Sequence, residues 1–151
     1  MRTPIPPECT QNVNHAEIVC SEKGRKIKFL NPNKRVVSRF TIDACDDLRA
    51  LLDSSNCKLC DFLVIDWRNE GHLIELKGKK VEHALKQLES TIERVIGTNS
   101  GGKIFCWIIT TESPATQSKF QNLKTKFEKH FKTKLKIKTN QHTHCLEKNK
   151  F

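Results

Sequence analysis

The chain has 151 residues, 27 Lys and Arg against 17 Asp and Glu, a net charge of +10, and only 36% apolar residues. That length fits one domain with a thin core and a large wet surface, and no run approaches the ~18 apolar residues that span a bilayer. So large a positive excess concerns partners rather than fold, and puts polyanions first, nucleic acid before anionic membrane. The charge is concentrated late: from Ser118 to Phe151 there are ten Lys against Glu128 and Glu147.

MRTPIPPECT opens the chain without an apolar signal-like region. The seven cysteines are an odd number, and the expectation is a cytoplasmic protein with reduced thiols. Residues 1–15 contain three prolines and read as an irregular arm. EIVCS (17–21) and KIKFL (26–30) flank a turn at Gly24 and predict a β-hairpin. After the turn residues NPNK, 31–34, RVVSRFTI (35–42) reads as a strand and CDDLRALLDSS (45–55) as a short helix.

CDFLVID (60–66) and HLIEL (72–76) are strands apolar on both faces, as in the middle of a sheet covered by helices. The short loop WRNEG between them suits an antiparallel hairpin. KKVEHALKQLESTIERV (79–95) repeats Val81, Ala84, Leu85, Leu88, Ile92 and Val95 at helical spacing. KIFCWIIT (103–110) is a buried strand. Ser113–Pro114 opens a helix reaching about Lys132, with Phe120, Leu123, Phe127 and Phe131 as its apolar stripe. KLKIK (134–138) is an edge strand blunted by lysines, and HTHCLEKNKF a loose basic tail.

Glu75 and Lys77 stand in and just after an apolar strand, two residues apart and so on one face. This is the chain's only acid-x-Lys match. A buried carboxylate is costly unless it meets a cation. Lys77 is one candidate partner and a divalent ion another, because hard cations take one or two carboxylates and keep several waters. Asp61 starts the preceding strand and supplies a second carboxylate, which hairpin pairing brings to the same end. Two acids on a metal beside a lysine form a workable phosphodiester hydrolysis site: the metal activates water and Lys77 stabilises developing charge. The alternatives are an ion pair for Glu75 and Lys77, a strand-start cap for Asp61, and an ordinary solvated helix residue for Gln87.

CDFLVID, then HLIELKG, then KKVEHALKQLESTI resembles the core of the PD-(D/E)XK nuclease superfamily, which includes restriction enzymes, Holliday-junction resolvases and repair exonucleases. The resemblance spans about residues 35–138 and is strongest over 60–92. It implies a mixed α/β fold, a restriction-endonuclease-like core whose central β-sheet is flanked by helices. An N-terminal arm and hairpin (1–34) and a basic tail (139–151) complete one nuclease-like domain. It implies Asp61 and Glu75 as ligands of Mg²⁺ or Mn²⁺ with the Leu76 carbonyl contributing, Lys77 as the catalytic lysine, and Gln87 as the glutamine some branches place beside the site. The implied activity is a metal-dependent endonuclease, on DNA sooner than RNA, acting as a possible homodimer in defence or repair. Asp43 and Glu17 are candidates for a further acid. A nucleic-acid-binding module that keeps the fold without catalysis is the alternative, and an RNA-processing nuclease a third reading. Cys57 and Cys60, with His142, His144 and Cys145, offer only a loosely spaced zinc set.

Overall fold

A computed structural model describes residues 1–52, 57–76, 80–97, 102–111 and 117–148, without the side chains of 117–119. The strands are β1 (Thr10–Val13), β2 (Glu17–Glu22), β3 (Arg25–Leu30), β4 (Val37–Thr41), β5 (Phe62–Ile65), β6 (Gly71–Leu76), β7 (Ile104–Thr110), β8 (Lys134–Thr139) and β9 (Gln141–Cys145). The helices are α1 (Asp46–Leu51), α2 (Val81–Thr91) and α3 (Gln117–Phe131). A π-turn over Ile92–Ile96 extends α2, closed by the Gly97 N–H on the Ile92 carbonyl at 2.7 Å. Among the described residues no helix is long and apolar enough to cross a membrane.

Six strands form a mixed sheet in the order β1-β4-β5-β6-β7-β8. β4, β5 and β6 are antiparallel neighbours, as the short Trp67–Glu70 loop predicts, while β7 and β8 continue parallel to β6. That switch follows from chain length: α2 and α3 are the crossovers that parallel neighbours need. Leu73, Cys106, Ile108 and Leu135 bury one face against Leu48 of α1, Ala84, Leu85 and Leu88 of α2, and Phe127 of α3.

The other face differs from the expectation. No α-helix covers it among the described residues; a second sheet, β2-β3-β9, does, with Leu146 beside it. Ile18, Cys20, Ile27 and Phe29 pack on Val64, Ile74, Leu76, Trp107 and Ile109. The mixed α/β architecture with a central sheet therefore stands, as three layers: small sheet, large sheet, helices. The apolar-on-both-faces pattern of β5 and β6 reports burial, and burial under a sheet reads like burial under a helix.

Both chain ends are more ordered than the sequence suggests. The expected irregular arm contains β1, paired antiparallel with β4. Arg2 and Thr3 donate backbone N–H bonds to the Ile96 and Val95 carbonyls. The loose tail contains β9, parallel to β3, and its buried His144 packs 4.9 Å from the Trp107 ring. QHTHC carries too few apolar residues to signal a strand, because its one buried position is an imidazole, His144. The segments 1–34 and 139–148 thus interleave with the core. Cys9 and Cys45 form a disulfide, so the reduced-thiol expectation fails for this pair; Cys20, Cys57, Cys60, Cys106 and Cys145 are free. The pairing depends on β1 lying against β4, which spacing does not reveal.

Candidate functional site

β5 and β6 run in register with Phe62 opposite Ile74. Asp61 departs from that ladder. Its N–H donates to the Ile74 carbonyl at 3.0 Å, while its own carbonyl accepts from the Ile42 N–H at 2.9 Å. A regular antiparallel residue exchanges both groups with one neighbour; Asp61 divides them between two, so the entrance of β5 is irregular in the manner of a bulge. The Asp61 carboxylate then reaches into the vacated rung, where Oδ2 accepts the Leu76 N–H at 2.7 Å. That amide belongs to the Glu75–Leu76 peptide, so the acid sits one peptide from Glu75.

Glu75 is 2% exposed. It alternates with Leu73 along β6, whose side chain lies in the helix-side core, so it projects towards the helices. The Cys60 thiol, in the same core, is pushed well above its ordinary range by burial, and further by the nearby Glu75 and Asp61 charges. Both acids therefore act on one buried point. Their approaches differ: Glu75 comes from the helix face and Asp61 from the rim of the sheet.

Asp61 stands in an acidic corner. Burial raises its pKa from 3.8 to about 7, the Leu76 N–H opposes the rise, and the Glu22 and Asp43 carboxylates add to it. Of the two further acids expected, Asp43 is near; it also pairs with Arg49. Glu17 begins β2, the far end of the strand from Glu22, and pairs with Lys28 at 3.4 Å, so it does not join the corner. Glu22 is the acid that sequence reasoning missed. It precedes the turn at Lys23 (φ 49°) and Gly24 (φ 81°), and only the docking of that hairpin on the central sheet carries it to Asp61.

Gln87 is buried, at 8% exposure, and its Nε2 donates to the Leu59 carbonyl at 3.2 Å. The solvated-helix alternative fails for this residue. Thr91 Oγ1 receives the Cys60 N–H at 2.8 Å, and Cys57 Sγ lies 3.3 Å from Ser90 Oγ. α2 thus clamps residues 57–60, the segment that delivers Asp61. Lys77, expected as the catalytic lysine, lies outside the described residues, as do Gly78 and Lys79.

The groups that the resemblance assigns as ligands are all oxygens: the Asp61 and Glu75 carboxylates and the Leu76 carbonyl. That chemistry suits a hard divalent ion such as Mg²⁺ or Mn²⁺, which needs few protein ligands. Burial of the Asp61 carboxylate, with the neighbouring Glu22 and Asp43 charges added, is the deficit a cation would offset. Among the described residues no group of three or more His, Cys, Asp or Glu side chains is disposed to hold a metal ion, so the fit rests on two carboxylates, a main-chain oxygen and water. The zinc set is not assembled: Cys57 and Cys60 lie in the helix-side core, whereas His142 and His144 pack against Trp107 on the opposite face. No family model matches the chain, and neither a curated protein nor a solved structure matches it.

Proposed function

We propose that the chain is a metal-dependent nuclease of the PD-(D/E)XK kind, hydrolysing phosphodiester bonds of nucleic acid, with DNA the favoured substrate by resemblance. The observation that carries this reading is the 2.7 Å bond from the Leu76 amide to Asp61. It fixes a second carboxylate against the very peptide that bears Glu75, at the end of β6 that the sequence motif marks. Asp61, Glu75 and the Leu76 carbonyl are the ligands assigned to Mg²⁺ or Mn²⁺. When bound, such an ion supplies an activated water and neutralises charge on the scissile phosphate.

Each remaining role belongs to this chain's own groups. Glu75 is held in a central strand, where neighbours on both sides restrict its movement. Gln87 positions the 57–60 segment through Leu59, and with it Asp61. Lys77, following Leu76 directly in sequence, is assigned to stabilising the charge that builds on phosphate oxygens. The net charge of +10 draws the polyanion to the surface. A homodimer would give two such sites for two strands.

One observation favours a second reading, a nucleic-acid-binding module without catalysis. The Asp61 carboxylate already serves as an acceptor for a backbone amide, a structural duty that needs no metal. A cleavage assay separates the two. Plasmid and single-stranded DNA are incubated with Mn²⁺ or with chelator, using the native chain and Glu75→Ala. Metal-dependent cutting lost in Glu75→Ala, with binding retained, supports the hydrolase. Binding without cutting on any substrate supports the module.

A further inference from the structure

The sequence concentrates positive charge late in the chain, yet part of that charge lies away from the acids. Lys103, Lys129, Lys132 and Lys134 gather where β7 and β8 begin. β6, β7 and β8 are parallel, so this is the opposite end of the sheet from Glu75 and Leu76, roughly 16 Å along the strands at ~3.3 Å per residue.

A different set of cations flanks the 57–60 segment that leads into Asp61. His83, Gln87, Ser90 and Arg94 follow one another at steps of three or four residues and share one side of the helix α2 and its π-turn. Lys86 flanks them, and Lys58 faces them from the clamped 57–60 segment. Together they line a cleft of about 430 Å³, within the size range of small-ligand sites. Lys58, Lys86 and Arg94 are exposed and Gln87 is buried at the wall. Among the described residues none of these three cations forms an ion pair with a carboxylate. Cys57 completes the lining, which carries cationic and neutral side chains and no acid. Lys58 precedes Asp61 by three residues, so at most ~10 Å of extended chain separates the cleft from the acids. On a strand whose phosphates recur every ~3.4 Å of axis, that is a reach of a few nucleotides.

The geometry points to this cleft as a phosphodiester-binding subsite that holds a nucleic-acid strand a few nucleotides from the Asp61–Glu75 corner. The inference rests on the nucleic-acid reading above and deepens it by naming the strand's path: along α2, and away from the lysines at the start of β7 and β8. Lys58, Lys86 and Arg94 hold phosphate oxygens by charge, on a wall whose Gln87 and Ser90 are tied to the 57–60 segment. Such contacts position a strand without reading its sequence.

The test measures fluorescence anisotropy of a short labelled single-stranded DNA across a salt series, in EDTA. One variant combines Lys58→Gln, Lys86→Gln and Arg94→Gln, all at exposed positions; a control combines Lys129→Gln, Lys132→Gln and Lys134→Gln. The cleft variant is expected to bind about tenfold more weakly or worse, and to flatten the slope of log affinity against log salt by about 2, three contacts at ~0.7 each. The control is expected to change affinity less than about threefold by the same logic. Native-like binding by the cleft variant, or an equal loss in the control, overturns the assignment. Inorganic phosphate is titrated in parallel at fixed ionic strength. Phosphate held as tightly as the oligonucleotide, and lost in the cleft variant, would give the cleft to a free anion and also overturn the strand assignment. Because binding is read without cutting, absence of cleavage with this pattern intact would sink the hydrolase reading alone.

Discussion

Asp61 and Leu76 are joined side chain to main chain: the Asp61 carboxylate completes the rung that its own displaced backbone leaves open, at 2.7 Å. The same group is thus part of the sheet and part of the acidic corner. Its charge is held at some cost, because burial and the neighbouring acids raise its pKa to about 7.

The sign of that effect is testable. A carboxyl whose folded pKa lies above its unfolded value near 3.8 contributes stability that is fully present below about pH 4 and is lost as pH rises through 7. Asp61→Asn removes the titration and keeps an oxygen acceptor for Leu76, so it is expected to equal or exceed the native chain in stability at pH 8. Asp61→Ala removes the acceptor and is expected to cost about 1–3 kcal/mol relative to Asn. Urea unfolding at pH 5 and pH 8 checks both; an Asn variant less stable than the native chain at pH 8 would refute the repulsion argument.

His72 sets the opposite slope. It is fully buried, and Trp107 Nε1–H donates to its Nδ1 at 3.1 Å. Burial, then the charges of His144 and Arg68, pushes its pKa down to about 3. A depressed folded pKa means stability present above about 6.5 and lost as pH falls towards 3, at up to ~1.4 kcal/mol per pH unit. His72→Phe should flatten acid unfolding while losing about 1–3 kcal/mol at pH 7 from the broken Trp107 bond. Thermal melts between pH 4 and 7, followed by circular dichroism, read both effects.

Fold class and site were legible to different depths. Val81, Ala84, Leu85 and Leu88 repeat at helical spacing and fall on α2. The short 67–70 loop fixed the antiparallel β5–β6 pairing. What alternation could not convey was the entrance to β5: one irregular residue moves Asp61 from the Leu63 face to the rim. Nor could it place Glu22, whose contact with Asp61 depends on sheet-on-sheet docking. β9 was hidden because its one buried side chain, His144, is not apolar by type. Cys9–Cys45 was hidden because residues 1–15 show no strand pattern.

The Cys9–Cys45 bridge spans 36 residues and ties the turn ahead of β1 to the loop ahead of α1. Closing a loop of that size restricts the unfolded chain by about 3–4 kcal/mol. Cys9→Ser with Cys45→Ser, or reduction of the native chain, is therefore expected to lower stability by that order. Guanidinium unfolding with and without reductant measures it, and equal midpoints would show that the bridge adds nothing.

Gln87 and Thr91 hold the segment that delivers Asp61. Gln87→Ala is expected to cost about 1–2 kcal/mol through the lost Leu59 bond and to lower cleavage at least about tenfold by displacing the acid. Thr91→Val, which removes the acceptor for Cys60 N–H, should act in the same direction. Cleavage rates set beside unfolding curves separate the effects: a stability loss with undiminished cutting would deny the clamp any part in positioning Asp61.

The central claim, that Asp61 and Glu75 share one hard cation, is tested most directly by a crystal soaked in Mn²⁺ with anomalous data. One peak is expected at about 2.1–2.3 Å from both an Asp61 and a Glu75 carboxylate oxygen, close to the distances hard ions of this size keep, and it should be lost in Glu75→Gln. A fully soaked crystal with no peak there, or with Mn²⁺ bound only elsewhere, would contradict it.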